Sequence, residues 1–276
     1  MKKILFIGSG YIYENFISKY KKKYNVSLIS RNKKHQNHVR FFYDETLINE
    51  CFDCVVFAAT SMASNKKDFD KFIYQAKKII DHFSNQPQPQ KIIFLSSCAV
   101  YGTDDNSIKN ENSPLKNDNL YRKEKLVIED YLSKTNKEKL NFISLRISNP
   151  WGKLPKTISG NGIVNKILHS SRNAKIRINN NGNSLRDYIH IIDVIDCIDF
   201  FINNNLPNEE LNLSFGESFS LRSVIEQMPE ELKKKISYVD EDYLDSSIIS
   251  NRKLRSNYSF LPRYKITQVL FQDLSI

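Results

Sequence analysis

Short apolar runs recur along the first half of the chain at 4–7, 26–29, 55–59, 92–96 and 142–145, without strict alternation of polar and apolar positions. Between them, at 13–24, 45–51, 68–83 and 121–132, apolar residues recur at helical spacing. Unbroken runs rich in Val, Ile and Phe predict strands covered on both faces, the pattern of a parallel sheet. Parallel neighbours need crossovers, and the intervening helices supply them as right-handed βαβ units. The expected fold class is α/β, a doubly wound parallel sheet. After about residue 150 the rhythm weakens. The stretch 153–162 reads as a polar loop, "GIVNKILHSS" as a helix, and "IHIIDVIDCIDFFINN" as a strand turning into a helix. "SLRSVIEQM" and "ITQVLFQDL" read as further short helices. The pattern predicts a larger unit over 1–150, to which 183–205 returns, and a smaller part over 151–276.

The first strand runs directly into a glycine turn, "ILFIGSGYIYENF". A strand, a Gly-x-Gly and a helix start are the parts of a Rossmann-type dinucleotide site. The first glycine permits the tight turn and the second lets backbone approach the pyrophosphate. Gly8 and Gly10 keep both roles, while Tyr13 stands where a third glycine would bring helix and strand together. Amides at the helix start still favour an anion. The second strand ends "LISRN", where an NAD site presents an acidic residue to the adenosine ribose. Arg31 stands there instead and suits a 2′-phosphate, which favours NADP over NAD. Asp44, in "FFYDE", is a candidate acceptor from the adenine amine.

Composition changes this picture little. The 276 residues are 40% hydrophobic, enough for a sizeable core, and carry a net charge of +10. The lysines are scattered, with no long basic block interleaved with aromatics, so a solvated basic surface is expected and not a nucleic-acid interface. Cys51 and Cys54 form a C-x-x-C without the second pair a zinc site needs, and Cys54 leads into an apolar run that reads as packing. No metal site is expected. No signal-peptide pattern and no apolar run of membrane-spanning length is seen, so a cytoplasmic protein without a membrane partner is expected.

The chemistry is carried by "FLSSCAVYG" and "YRKEK". The first ends a predicted central strand with Ser97, and the second places Tyr121 and Lys125 on one face of a helix. A nearby ammonium favours phenolate, which predicts a lowered tyrosine pKa and a group able to exchange protons near neutrality. Ser97 can hydrogen-bond the same substrate oxygen. These are the candidate catalytic residues.

At this point the chain resembles the extended short-chain dehydrogenase/reductase family, the nucleotide-sugar epimerases, dehydratases and ketoreductases. "GSGYI" matches the first turn, "SSCAVYG" the serine strand, and "NENSPLKNDNLYRKEKLVIE" the segment with Tyr and Lys, including Glu111, Pro114 and Glu129. "LRISNPWG" and "GNSLRDYIHIIDV" match two later segments, and "LNLSFGESFSLRSVI" and "NRKLRSNYSFLPRYKITQVL" the closing ones. The resemblance implies cofactor contacts from Gly8, Gly10, Tyr11, Ile12, Arg31, Asp44, Ala58, Ala59, Tyr121 and Lys125. It implies substrate contacts from Ser97, Asn149 and Arg186, with Asn149 facing the sugar and Arg186 the nucleotide diphosphate. Two departures stand out: Tyr13 for the last glycine, and Gln75 where many members carry Asn.

The resemblance also narrows the reaction. The 4,6-dehydratases have Thr-Asp-Glu where this chain has Ser97-Cys98-Ala99, so the acid and base for elimination are missing. Cys98 matches the Ser-Ser-Cys of GDP-fucose synthases, but no His lies near "NPWG", and Cys98 reads as packing. Two reactions remain that use Ser, Tyr and Lys alone. One is NADPH-dependent 4-ketoreduction of a nucleotide 4-keto-6-deoxyhexose in surface-polysaccharide sugar synthesis, favoured by Arg31. The alternative is a nucleotide-sugar 4-epimerase with retained NAD. A non-catalytic nucleotide-binding relative is disfavoured because Tyr121 and Lys125 are both present. The partner expected is a nucleotide sugar, and a homodimer is the candidate assembly.

Overall fold

The computed structural model describes residues 1–30, 38–39, 51–61, 63–88, 90–153, 162–171, 174–240 and 245–269. The chain forms two compact units, one of 1–100, 116–146 and 195–211, the other of 101–115, 147–194 and 212–276. In this division the chain crosses between units at 146/147, 101–115 joins the second unit, and the segment that returns to the first is 195–211. The polar stretch 101–115 contains no apolar run that would mark it as part of the second unit's sheet.

In the first unit, β1 (Lys3–Ile7), β2 (Asn25–Ile29), β3 (His38–Val39), β4 (Cys54–Phe57), β5 (Gln90–Ser97), β7 (Leu140–Ile147) and β11 (Glu209–Leu213) build one sheet. The order is β11-β7-β5-β4-β1-β2-β3, and the pairs β1–β2, β1–β4, β2–β3 and β4–β5 are parallel. This is the expected doubly wound, Rossmann-like sheet. Chain order reverses direction between β1 and β4, and open α/β sheets bind ligands outside the carboxyl ends of strands at such a switch point. The glycine turn leaves β1 at this place.

The strands are buried because their neighbours cover both faces. Leu5, Ile7, Val55, Phe57, Ile92, Phe94 and Phe142 pack with Phe69, Phe72, Ile79 and Phe83 of α2 (Lys66–Ser84) and with Ile128 and Leu132 of α3 (Leu120–Ser133). The Phe57 and Phe94 rings lie 5.8 Å apart. Both helices start at an asparagine cap: Asn65 accepts from the Asp68 amide and Asn119 from the Arg122 amide, each at 2.9 Å. The first helix, α1 (Tyr11–Tyr20), is shorter than the periodicity predicts, because 21–23 form a lysine turn, and Tyr24 stacks back on Phe16 at 5.9 Å.

The second unit has its own sheet, β12 (Ser218–Ser220), β10 (Leu185–His190), β14 (Ser246–Ile249) and β6 (Asp104–Lys109), with β8 (Asn149–Trp151) also paired to β10. Trp151, Tyr188, Leu221, Val224 and Ile225 share its core with Val164 and Ile167 of α4 (Ile163–His169). A small pair, β9 (Ile176–Ile178) with β13 (Ile236–Tyr238), completes the sheets described. Asp187 is its buried polar anchor. It accepts from the Ser148 hydroxyl at 2.5 Å and from the Phe215 and Gly216 amides at 2.9 and 2.7 Å. Burial pushes its carboxyl up to about 6 against those hydrogen bonds. Among the described residues, no helix is long and apolar enough to cross a membrane.

Candidate active site

The glycine turn is held from both neighbours in the sheet. The Gly8 amide donates to Ile29 at 2.8 Å, the Ala58 amide to Ile7 at 2.8 Å, and the Ser9 and Ser30 hydroxyls meet at 2.5 Å. Gly8 has φ +108°, and a Cβ there would stand 2.8 Å from the Ala59 nitrogen, so this position requires glycine for the fold itself. Gly10 differs: a Cβ there would meet no protein atom within 4 Å. Among the described residues nothing demands glycine at 10, and the open space in front of it fits a phosphate approaching backbone. The α1 start has Gly10 as its N-cap and no side-chain cap, the kind of helix start that suits an anion. Tyr13 is buried with its ring edge-on to Phe6 at 5.2 Å, so an aromatic contact does the packing that a glycine would otherwise permit. Gln75 is buried on α2.

These residues fit a dinucleotide, and they separate two glycine roles by experiment. Gly10→Val should fold as the parent does, with an unchanged melting curve, yet lose dinucleotide binding in a titration. Gly8→Ala should instead destabilise the protein. Unchanged dinucleotide affinity in Gly10→Val would remove the turn from the site.

Ser97 ends β5, and its Oγ accepts the Ala99 amide at 3.2 Å. Tyr121 stands at the start of α3, and the Ser97 side chain acts on its phenol, opposing the rise in its pKa. Arg122 fixes the approach of these two elements, donating from Nε to the Ala99 carbonyl at 2.8 Å and pairing with Asp118 at 2.6 Å. Lys125, one turn along α3, is 3% exposed. Its Nζ donates to the Leu95 carbonyl at 3.1 Å and lies 5.6 Å from the Tyr121 ring centroid. The three catalytic candidates are thus brought together within the first unit.

A buried ion pair locks the helix to the sheet behind them. Arg146 of β7 donates from Nη2 and Nε to the two Glu129 oxygens at 2.8 and 3.1 Å, and the Ser96 hydroxyl donates to Glu129 at 2.5 Å. Cys98 is buried, and its thiol donates to the Arg146 carbonyl at 3.0 Å, a packing arrangement. Cys54 is also buried, and burial pushes its thiol up to about 12.

One sequence-based expectation is reversed. Tyr121 was expected to be acidified by Lys125. Desolvation of its hydroxyl instead raises the phenol, Ser97 opposes this, and Glu124 and Cys98 raise it further. Burial lowers Lys125, with Glu124 and then Glu129 working against that. The ammonium sits over the ring face while a carboxylate acts on the same tyrosine, which the Y-x-x-x-K spacing does not reveal.

In the second unit, Asn149 is exposed and its amide nitrogen donates to the Asp187 carbonyl at 2.8 Å. Arg186 pairs with Asp245 at 2.5 Å and borders a cavity of about 190 Å³ with Arg177, Asn179, Tyr188 and Asp245. The Tyr188 hydroxyl is buried and meets no hydrogen-bond partner among the described residues. Two guanidinium groups and an orphaned hydroxyl at one cavity suit an anionic, polar ligand. Arg177 and Tyr188 were not expected; Tyr188 is two residues past Arg186 on β10, so strand alternation could have found it. A larger cavity of about 560 Å³, lined by Asn251, Arg252, Arg255 and Leu261, contains none of the expected site residues. Arg31 and Asp44 lie outside the described residues.

Known proteins resemble the chain in sequence and in fold. The model of the NAD dependent epimerase/dehydratase family matches residues 8–214. The chain is 35% identical over 150 residues to the dTDP-4-dehydro-6-deoxyglucose reductase of Escherichia coli, covering 53% of this chain and 47% of that protein. It is 31% identical over 173 residues to UDP-glucose 4-epimerase 2 of rice, Oryza sativa, covering 54% and 42%. These matches span about half the length of those relatives. Among solved structures, the UDP-glucose 4-epimerase of Thermotoga maritima with UDP-glucose superposes with TM-score 0.81 at 18% identity, over 99% of this chain and 97% of that one. The dTDP-glucose 4,6-dehydratase of Bacillus anthracis with NAD gives 0.80 at 19%, over 100% and 96%. The family model covers well over half of the chain: the chain belongs to the NAD dependent epimerase/dehydratase family.

Proposed function

We propose that this protein is an NADPH-dependent 4-ketoreductase of a nucleotide-linked 4-keto-6-deoxyhexose, serving surface-polysaccharide sugar synthesis. The observation that carries this reading is the set the first unit brings together: Ser97 at the end of β5, Tyr121 at the head of α3, and the buried Lys125 Nζ 5.6 Å from the Tyr121 ring centroid. Desolvation of the hydroxyl raises the phenol, the direction that favours its neutral form. Reduction of a carbonyl consumes a proton at oxygen, and a neutral phenol is the form that gives it. Support also comes from the identity to the E. coli reductase. Cys98 and Ala99 supply no second acid or base for elimination.

The dinucleotide, when bound, supplies the hydride. The residues of this chain do the rest. Gly8, Gly10, Tyr11 and Ile12 receive the pyrophosphate at the head of α1, and Ala58 and Ala59 border the turn. Ser97 and Tyr121 hold the sugar carbonyl oxygen, and Tyr121 delivers the proton there. Lys125 holds the nicotinamide ribose. Asn149 and Arg186, with Arg177, receive the sugar and the nucleotide diphosphate. Arg31 receives the 2′-phosphate. A charge-assisted contact of that kind is worth about 1.5–3 kcal/mol, roughly tenfold to a hundredfold. Arg31→Ala should therefore lose that much NADPH affinity and leave NADH unaffected; equal losses for both would exclude the role.

The second reading, a 4-epimerase with retained NAD, is favoured by the 31% identity to a UDP-glucose 4-epimerase. Denaturing the purified protein and analysing the released cofactor separates the two. A reductase should release none and should oxidise NADPH with UDP-, dTDP-, GDP- or CDP-linked 4-keto-6-deoxy sugars. Released NAD, with 4-epimerisation in the absence of added cofactor, would replace the first reading by the second.

A further inference from the structure

Glu124 immediately precedes Lys125, and it is fully buried, 0% exposed. A carboxylate in that position is costly unless it is held and used. One oxygen is held: Oε2 accepts the Ser61 amide at 3.0 Å and also the Ser61 hydroxyl. The other, Oε1, accepts no hydrogen bond from the described residues and lies 3.8 Å from Lys125 Nζ. Ser61 is placed by its surroundings, since its hydroxyl oxygen accepts the Ala63 amide at 3.0 Å. Two residues earlier is Ala59, the residue against which Gly8 is closed. A continuous set of contacts therefore runs from the glycine turn through 59–61 to Glu124 and the catalytic helix, all inside the first unit.

We propose that Glu124 is a positioning residue: clamped by Ser61, its carboxylate holds the Lys125 ammonium in place beside Tyr121 for proton delivery to a substrate carbonyl. The functional significance rests on the ketoreductase reading; the electrostatic role does not. The groups that face Lys125 are few. Glu124 and Glu129 lie on its own helix, and Glu129 is already engaged by Arg146 from β7 and Ser96 from β5. Tyr121 is the titratable neighbour one turn back, and Cys98 acts on Tyr121 from the end of β5. From the sheet, Lys125 meets the Leu95 carbonyl and the Phe94 ring, 5.1 Å from Nζ, neither of which titrates. Glu124 is thus the neighbouring carboxylate not engaged by a cation other than Lys125. Negative charge there stabilises the ammonium and disfavours the phenolate, so both effects have the same sign.

The test uses the full-length protein with [ε-13C]lysine, the Lys125 resonance being assigned by its loss in Lys125→Met. Glu124→Gln keeps an acceptor for Ser61 and removes the charge. It should move the Lys125 titration to lower pH. The alkaline limb of kcat should move to lower pH with it. Glu124→Ser, smaller and also neutral, should do the same, so the result does not hang on one variant folding. A purely structural Glu124 would lower the melting temperature and leave the Lys125 titration where it is in the parent, and that result would overturn the proposal. The titration needs neither substrate nor cofactor. A parent protein without ketoreductase activity would therefore remove the functional reading, while the Lys125 midpoint would still decide this one.

Discussion

Tyr121→Phe should lower kcat by about 10²–10⁴-fold, the usual contribution of general acid catalysis. The substitution keeps the ring and deletes only the hydroxyl that would give the proton. Tyr121 is 45% exposed, so its ring carries little of the core packing, and the variant should melt close to the parent. Dinucleotide affinity should also stay close to the parent value. Lys125→Ala should behave differently and damage both binding and turnover, because the lysine is asked to hold the ribose as well as to sit beside the phenol. Stopped-flow single turnovers with NADPH and a 4-keto substrate would read the chemical step directly. Parental turnover by Tyr121→Phe would leave Tyr121 as one residue of an ordinary amphipathic helix.

The second large effect is on stability. Glu129→Ala should cost about 3–5 kcal/mol, the range for removing one partner of a buried ion pair. The buried Arg146 would lose its carboxylate partner at position 129 inside the sheet, and Ser96 would lose its acceptor. Urea denaturation of the variant measures this. Replacing both charges, with Glu129→Leu and Arg146→Met together, should recover much of the loss, because the desolvation of both ions is avoided. A loss of less than 1 kcal/mol in Glu129→Ala would mean that the pair does not hold α3 to β5 and β7.

The first unit was legible because its physics is periodic. Strands that are buried on both faces write unbroken apolar runs, and each of the five was found within a few residues of its observed limits. The second unit was less legible. Its strands are three to six residues long, and β6, "DDNSIK", is polar along most of its length. Such a strand exists because β14 pairs with it, which no local pattern announces. The site shows the same division. Gly8, Gly10, Ser97, Tyr121 and Lys125 carry their roles in residue type and spacing. Glu124 does not, since one more charged residue in "YRKEK" reads as solvated surface until the helix is seen to bury it. The sign of the Tyr121 shift was misread for the same reason: spacing identifies a neighbour, but only burial tells which charge dominates.

The most direct measurement is the fate of labelled hydride. The protein would be incubated with NADPH carrying deuterium at the nicotinamide C4 and with a nucleotide-linked 4-keto-6-deoxyhexose, and the product examined by NMR and mass spectrometry. The expected result is one deuterium at sugar C4 per NADPH oxidised, with the label absent from the Tyr121→Phe product over the same interval. Conversion of a 4-hydroxy nucleotide sugar to its 4-epimer without NADPH, together with no deuterium reaching C4 from NADPH, would contradict reduction as the protein's reaction.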